Sequence, residues 1–251
     1  METITLETKN PMELFKSWYA EAKSCQDNLM PERMTLGTMG KDGFPNARTV
    51  ILRGLDDAGF KMYWNKHSQK SQELEINNRA SLVLVWIYRT LEGALGFRQV
   101  RVQGRVEDLP QSEVDAYFES EPDIAKVRAI VQIQSRVITD EQREEIRRKF
   151  EELCTQVQEN HIKLECPQGY VGCFLRPSMI EFYQGQRDTV NDRVRFRLDD
   201  GNSCCSEATL PGDDGWKSEN KEEVNRSVKH NFDNCQNQPF INKIRRPNPE
   251  F

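Results

Sequence analysis

The stretch Met34 to Trp64, MTLGTMGKDGFPNARTVILRGLDDAGFKMYW, decides the fold class. MTLGTMG, ARTVILRGL and FKMYW are short runs carrying Thr, Val, Ile, Leu and aromatic residues, types that suit a pleated, half-buried surface, and KDG and DDAG between them supply Asp and Gly for tight turns. The pattern predicts a meander of antiparallel strands. Ahead of it, Pro11 to Lys23 places Leu14, Phe15, Trp18 and Ala22 at helical spacing, which predicts an amphipathic helix packed on the sheet. After it, Ser68 is positioned to cap a short helix running to Asn77, and ASLVLVWIY and RQVRVQGRVE return to strand. Five strands and one short helix suit a small barrel.

Farther on, Pro110 to Ser120 and Ile124 to Ile133 read as helices. Thr139 and Gln142 form a capping box for a long charged helix whose apolar stripe is Ile146, Phe150, Leu153 and Val157. Gly169 to Leu175, Ser178 to Gln184 and Arg193 to Leu198 read as three more strands, divided by Pro177 and by a QGQ turn around Gly185. The organisation expected is an N-terminal arm and helix over 1–30, a barrel with inserted helices over 31–198 whose closing element lies near 169–198, and a tail over 199–251. The tail is rich in Asp, Asn, Ser, Gly and Lys, and is expected to be mostly flexible because so few large apolar residues cannot offset the entropy of ordering.

A chain of 251 residues with 37% hydrophobic content can form a real core. Its formal charge of -5 comes from interleaved acids and bases, so no basic face for nucleic acid is expected. Seven cysteines without a CxxC pair or a histidine at zinc-ligand spacing read as reduced thiols of a cytoplasmic protein, with no metal site. Met1 to Asn10 is polar and no run of roughly 18 apolar residues exists, so no membrane span is expected. P-loop, GxGxxG, HExxH and GxSxG motifs are missing, and His67, His161 and His230 are scattered. Hydrolysis by side chains alone is thus poorly supported, whereas a bound cofactor could bring the reactive atoms and leave the protein to grip a phosphate and orient a ring. Arg48 on a strand and Lys70 at a helix start could converge on such a phosphate. By spacing alone such residues are more often solvated surface charges, and Tyr63 and Trp64 more often core or interface aromatics than ring-stacking groups.

Five ordered segments go further: MTLGTMGKDGFPNARTVILRG, NKHSQKSQELEIN, RQVRVQGRVEDLP, QSRVITD and EFYQGQRDTVNDRVRF. Together they resemble the pyridoxamine 5'-phosphate oxidase family over roughly Pro11 to Leu198. The resemblance implies a mainly β fold with α elements, a split β-barrel with flanking helices, forming a homodimer that binds flavin mononucleotide (FMN) in clefts between two subunits. The family's FMN contacts fall on Arg48, Thr49, Val50, Ile51, Tyr63, Trp64, Lys70, Gln99, Gln134, Ser135 and Arg193. Gln69 stands where the family usually has a basic residue, and Tyr183 where it usually has Trp.

The substrate side departs further. The family surrounds the substrate phosphate with Lys, Tyr, Arg and Ser, and these positions hold Arg53, Tyr117, Glu121 and Ala125. The family's catalytic Arg and His, in Arg-Leu-His-Asp-Arg, become Thr189 and Asn191 in Thr189-Val190-Asn191-Asp192-Arg193. The resemblance implies FMN-dependent oxidation of a small-molecule substrate, pyridoxine or pyridoxamine 5'-phosphate, to pyridoxal 5'-phosphate with oxygen as acceptor. The replacements leave two alternatives: an FMN- or pyridoxal-phosphate-binding paralogue without turnover, and a flavin enzyme with another substrate.

Overall fold

The structure, a computed structural model, describes residues 4, 6, 8–89, 93–133, 135–160, 162–186, 191–198 and 209–220. Helix α1 (Pro11–Ser24) starts at Asn10, whose side chain accepts the Met12 N–H, and buries Leu14, Phe15 and Trp18. Two of the expected strands follow as β1 (Arg33–Met39) and β4 (Gly59–Asn65), but ARTVILRGL, expected as one strand, breaks at Leu52 and Arg53 into β2 (Pro45–Ile51), which pairs with β1, and β3 (Gly54–Asp56), which pairs with β4. After α2 (Gln69–Ile76) come β5 (Arg79–Arg89) and β6 (Leu95–Asp108), then three helices, α3 (Gln111–Ser120), α4 (Asp123–Val131) and α5 (Asp140–Asn160). The capping box of α5 forms in both directions: the Thr139 N–H donates to Gln142 Oε1 at 3.0 Å, and the Gln142 N–H to Thr139 Oγ1 at 3.3 Å. The stripe of α5 packs with Phe118, Val127 and Val131 in a small helical cluster of its own.

Three further sequence readings need correction. The two strands expected on either side of Pro177 are one, β7 (Tyr170–Gln186), and the QGQ segment belongs to it. Pro177 stands opposite Gly104 at a register shift, where Ser178 is left outside the ladder and the missing proline N–H costs no regular bond. Ser68 precedes α2 but makes no capping bond with its side chain. Finally, part of the expected tail is ordered. After β8 (Asp192–Leu198), strands β9 (Thr209–Pro211) and β10 (Trp216–Asn220) extend the sheet, β10 pairing with β8 through its backbone and burying Trp216. That pairing draws on main-chain groups, so it needs few apolar residues. The remainder of the tail lies outside the described residues.

Among the described residues ten strands form one sheet in the order β2-β1-β5-β6-β7-β8-β10-β9, with β3 and β4 off this path, and the pairings are antiparallel. Strand β7 organises it. One edge pairs with β6 along nearly its whole length, while the other is divided between β4, over Tyr170–Leu175, and β8, over Met179–Gln184. The sheet therefore forks at β7, and the core fills the fork with Phe60, Met62, Leu82, Val102, Leu175, Ile180, Phe182 and Phe196. Helix α1 closes it, its Phe15 ring meeting Phe60 edge-on at 4.9 Å.

At the register shift a Cβ on Gly104 would lie 2.1 Å from the Arg176 carbonyl oxygen, so the two backbones approach as only glycine allows. Gly104→Ala should cost about 1–3 kcal/mol, a loss that denaturant unfolding at fixed protein concentration would detect. Gly169→Ala is the control, since its Cβ would meet nothing nearer than 3.6 Å.

Candidate functional site

The fold gathers the sequence-predicted residues into three groups. The first lies where β2 and β4 meet the start of α2. Arg48 shares a sheet face with Leu36 and Thr38, and its guanidinium donates to Thr38 Oγ1 and, at 2.8 Å, to Glu73 Oε2. Glu73, buried on α2, also accepts from Thr38 Oγ1 at 2.5 Å, Asn46 Nδ2 at 2.7 Å and Gln69 Nε2 at 2.8 Å. Burial alone would raise its pKa, yet these bonds and the Arg48 charge outweigh burial and hold the carboxyl below its ordinary range. Glu73 escaped the sequence reading because an acid on a short polar helix is usually solvated. The only available signal was its spacing of four from Gln69.

Next to this pair, Lys70 extends over the Trp64 ring, 5.4 Å from its centroid. Burial, and then the nearby Arg48 charge, push the Lys70 pKa down. Trp64 is itself buried and donates to Ser71 Oγ at 3.2 Å, so it is a platform inside the core and not an exposed stacking surface. Ser135, with φ of 55°, accepts the Gln69 N–H at 2.8 Å and so caps α2 from a distant part of the chain. Ser68 Oγ is buried without a hydrogen-bond partner among the described residues. Thr49 is exposed, whereas Val50 packs on the core and Ile51 is half-buried.

A second group forms on the outer side of β4. The Tyr63 ring lies flat on Tyr117 of α3, centroids 3.7 Å apart and planes 8° from parallel, with Tyr170 stacked beyond Tyr63 at 6.2 Å. The Tyr117 hydroxyl donates to Glu121, and Arg53 approaches the same carboxylate at 3.9 Å. Burial, reinforced by the bond to Glu121, raises the Tyr117 pKa. Ala125, on α4, is half-buried and brings no polar atom.

The third group sits on β6, β7 and β8. Gln99 pairs with Tyr183, and Tyr183 with Arg193, whose guanidinium lies 5.0 Å from the Tyr183 ring centroid and 3.4 Å from buried Glu181. Glu181 also holds Arg195 and Arg101, and their bonds and charges overcome burial to keep its pKa low. Asn191 Oδ1 sits over Gly185, 2.8 Å from where a Cβ would be. Gln134 and Thr189 lie outside the described residues.

This third group does not meet the first within one chain. Leu36, Leu82, Val100 and Val102 share the core face with Arg48, and Gln99 and Tyr183 alternate to the other face. Among the described residues no cluster of three or more His, Cys, Asp or Glu side chains could hold a metal ion, and no helix is long and apolar enough to cross a membrane.

Against this geometry the comparisons are specific. Residues 25–156 match the family described as pyridoxamine 5'-phosphate oxidase, and residues 170–220 match the pyridoxine 5'-phosphate oxidase C-terminal dimerisation region. The chain belongs to the pyridoxamine 5'-phosphate oxidase family. It is 38% identical over 217 residues to pyridoxine-5'-phosphate oxidase of Bos taurus, covering 86% of this chain and 79% of the relative. It is 36% identical over 193 residues to the Salinibacter ruber pyridoxine/pyridoxamine 5'-phosphate oxidase, covering 77% and 85%. The fold matches PhzG of Burkholderia lata with a TM-score of 0.69 at 23% identity, covering 88% of this chain and 98% of that one. A pyridoxamine 5'-phosphate oxidase-related, FMN binding protein of Nostoc punctiforme gives a TM-score of 0.59 at 15% identity, covering 83% and 94%. The family's dimerisation region thus includes β9 and β10, in what had been read as tail.

Glu73→Ala would strand the Arg48 charge, and is expected to destabilise the protein by about 3 kcal/mol. Because the folded pKa of Glu73 lies below its unfolded one, its stabilising contribution is complete above the unfolded value, about 4.3, and fades as pH falls through the folded value. Unfolding of wild type and Glu73→Gln followed from pH 7 downward should converge in acid.

Proposed function

We propose that this chain works as a homodimeric, FMN-dependent oxidase that converts pyridoxine or pyridoxamine 5'-phosphate to pyridoxal 5'-phosphate with oxygen as acceptor. The observation that carries the reading is the cationic corner at the start of α2. Arg48 is neutralised by Glu73, but Lys70 has no acid within ion-pair distance among the described residues. The positive end of a helix and the orphaned Ser68 hydroxyl lie at the same corner. A corner in surplus of positive charge and hydrogen-bonding capacity fits the phosphate of FMN.

FMN, when bound, supplies the hydride acceptor. In this reading Arg48, Lys70 and Ser135 grip its phosphate, and Thr49, Val50 and Ile51 line it along β2. Trp64 holds Lys70 from beneath, and Gln69 ties Glu73 to the same helix turn. Gln99 and Gln134 suit the carbonyls and nitrogens of the ring, with Tyr183 and Arg193 alongside. Because the Gln99 group faces away from Arg48, each cofactor is shared, one group coming from each copy of the chain, as the matched dimerisation region supports. Tyr63 steadies Tyr117, which with Arg53 forms the substrate side together with Glu121 and Ala125.

Thr189 and Asn191 occupy the positions of the family's catalytic Arg and His. Two missing donors to charged groups, each worth roughly 1.5–3 kcal/mol, favour slow turnover, on the order of 10² to 10⁴ below a fully equipped site. The same replacements favour a second reading, FMN binding without turnover.

Anaerobic titration of the FMN-loaded protein with pyridoxine 5'-phosphate decides between them. Bleaching of the oxidised flavin, reversed by air with pyridoxal 5'-phosphate appearing, is the expected outcome, and a bound flavin that stays unbleached would overturn the oxidase. Independently, Lys70→Ala should weaken FMN binding by about 10- to 100-fold, measured by quenching of flavin fluorescence.

A further inference from the structure

The two groups best placed to hold a substrate anion, Arg53 and Tyr117, are already engaged. The Tyr117 hydroxyl and the Arg53 guanidinium converge on the same atom, Glu121 Oε1. Glu121 is not a stray surface acid, for its side chain is only 15% exposed. Four residues beyond Tyr117, it faces the same side of α3 and ends that helix, its backbone N–H donating to the Phe118 carbonyl at 3.2 Å. The negative end of α3 therefore lies at the residue that carries the carboxylate, and both oppose a second anion. Tyr117 cannot easily turn aside, because Tyr63 covers its ring at 3.7 Å. Ala125 offers no compensating donor.

We propose that Glu121 is a resident rival of the substrate phosphate for Arg53 and Tyr117, and so sets the choice between phosphorylated and unphosphorylated hydroxymethylpyridines. A phosphate must displace the carboxylate or sit beside it, whereas an unphosphorylated hydroxymethyl group can donate to Glu121. The inference rests on the reading above, in which this side of the site receives a B6 vitamer.

The test is calorimetric binding of 4-deoxypyridoxine 5'-phosphate and of 4-deoxypyridoxine to the FMN-loaded protein, since neither has a C4' hydroxyl to oxidise. Wild type should prefer the phosphorylated ligand by less than about tenfold, and Glu121→Gln should bind it about tenfold or more tightly than wild type, with no gain for the unphosphorylated one. Equal or weaker phosphate binding by a Glu121→Gln protein with wild-type flavin content and unfolding midpoint would overturn the proposal. So would a wild type that prefers the phosphorylated ligand a hundredfold. Glu121→Ala serves if the glutamine variant folds poorly. A protein that oxidises neither vitamer defeats the oxidase reading, yet the binding comparison still decides the role of Glu121.

Discussion

The architecture depends on the pairing of β7 with three partners. A strand of 17 residues that gives one edge to β6 and divides the other between β4 and β8 fixes where the sheet forks, and hence where the core lies. A one-residue slip would turn Ile180 and Phe182 outward and bring Glu181 and Tyr183 in. The register is held by the bulge at Ser178 and by the near contact of Gly104 with Arg176, so a local irregularity protects a global arrangement. The site inherits this precision. Tyr63 is positioned opposite Gly172 and Tyr183 opposite Gln99 by the same strand.

Much of this was legible in the sequence where one local rule governs. The strands at Met34 and at Phe60 to Trp64, the face of α1 and the capping box at Thr139 are short-range patterns, and they formed as read. Readings failed where a distant partner overrode the local signal. Pro177 and Gly185 look like breakers, but one sits at a bulge and the other lies under the Phe97 ring and Asn191. The polar segment ending at Asn220 lacks the composition of a core strand, yet β8 offers it a ladder. The candidate site divides in the same way. Arg48 and Lys70 were visible as cations able to meet, whereas the buried carboxylate that anchors Arg48 and the serine that caps α2 from 66 residues away were not.

Burial and charge explain why the two halves of the site differ in character. At the start of α2 an acid is enclosed by donors, leaving Lys70 in surplus. At the end of α3 the balance reverses, since Glu121 draws in the available cation and hydroxyl. One helix end therefore favours an anion and the other resists it. The family's scaffold therefore carries a surplus cation at the start of α2 and a paired acid at the end of α3.

The fork at β7 also governs how the chain reaches its folded state. Asn65 pairs with Tyr170, and about a hundred residues of chain lie between them, so β4 has no partner on that edge until the ribosome has released β7. During synthesis the edges of β4 and β6 that face β7 therefore stay open while the chain between is made, on the order of seconds. The helices α3 to α5, which emerge in that interval and form a cluster of their own, give the waiting chain local structure before the long-range pairing closes the barrel.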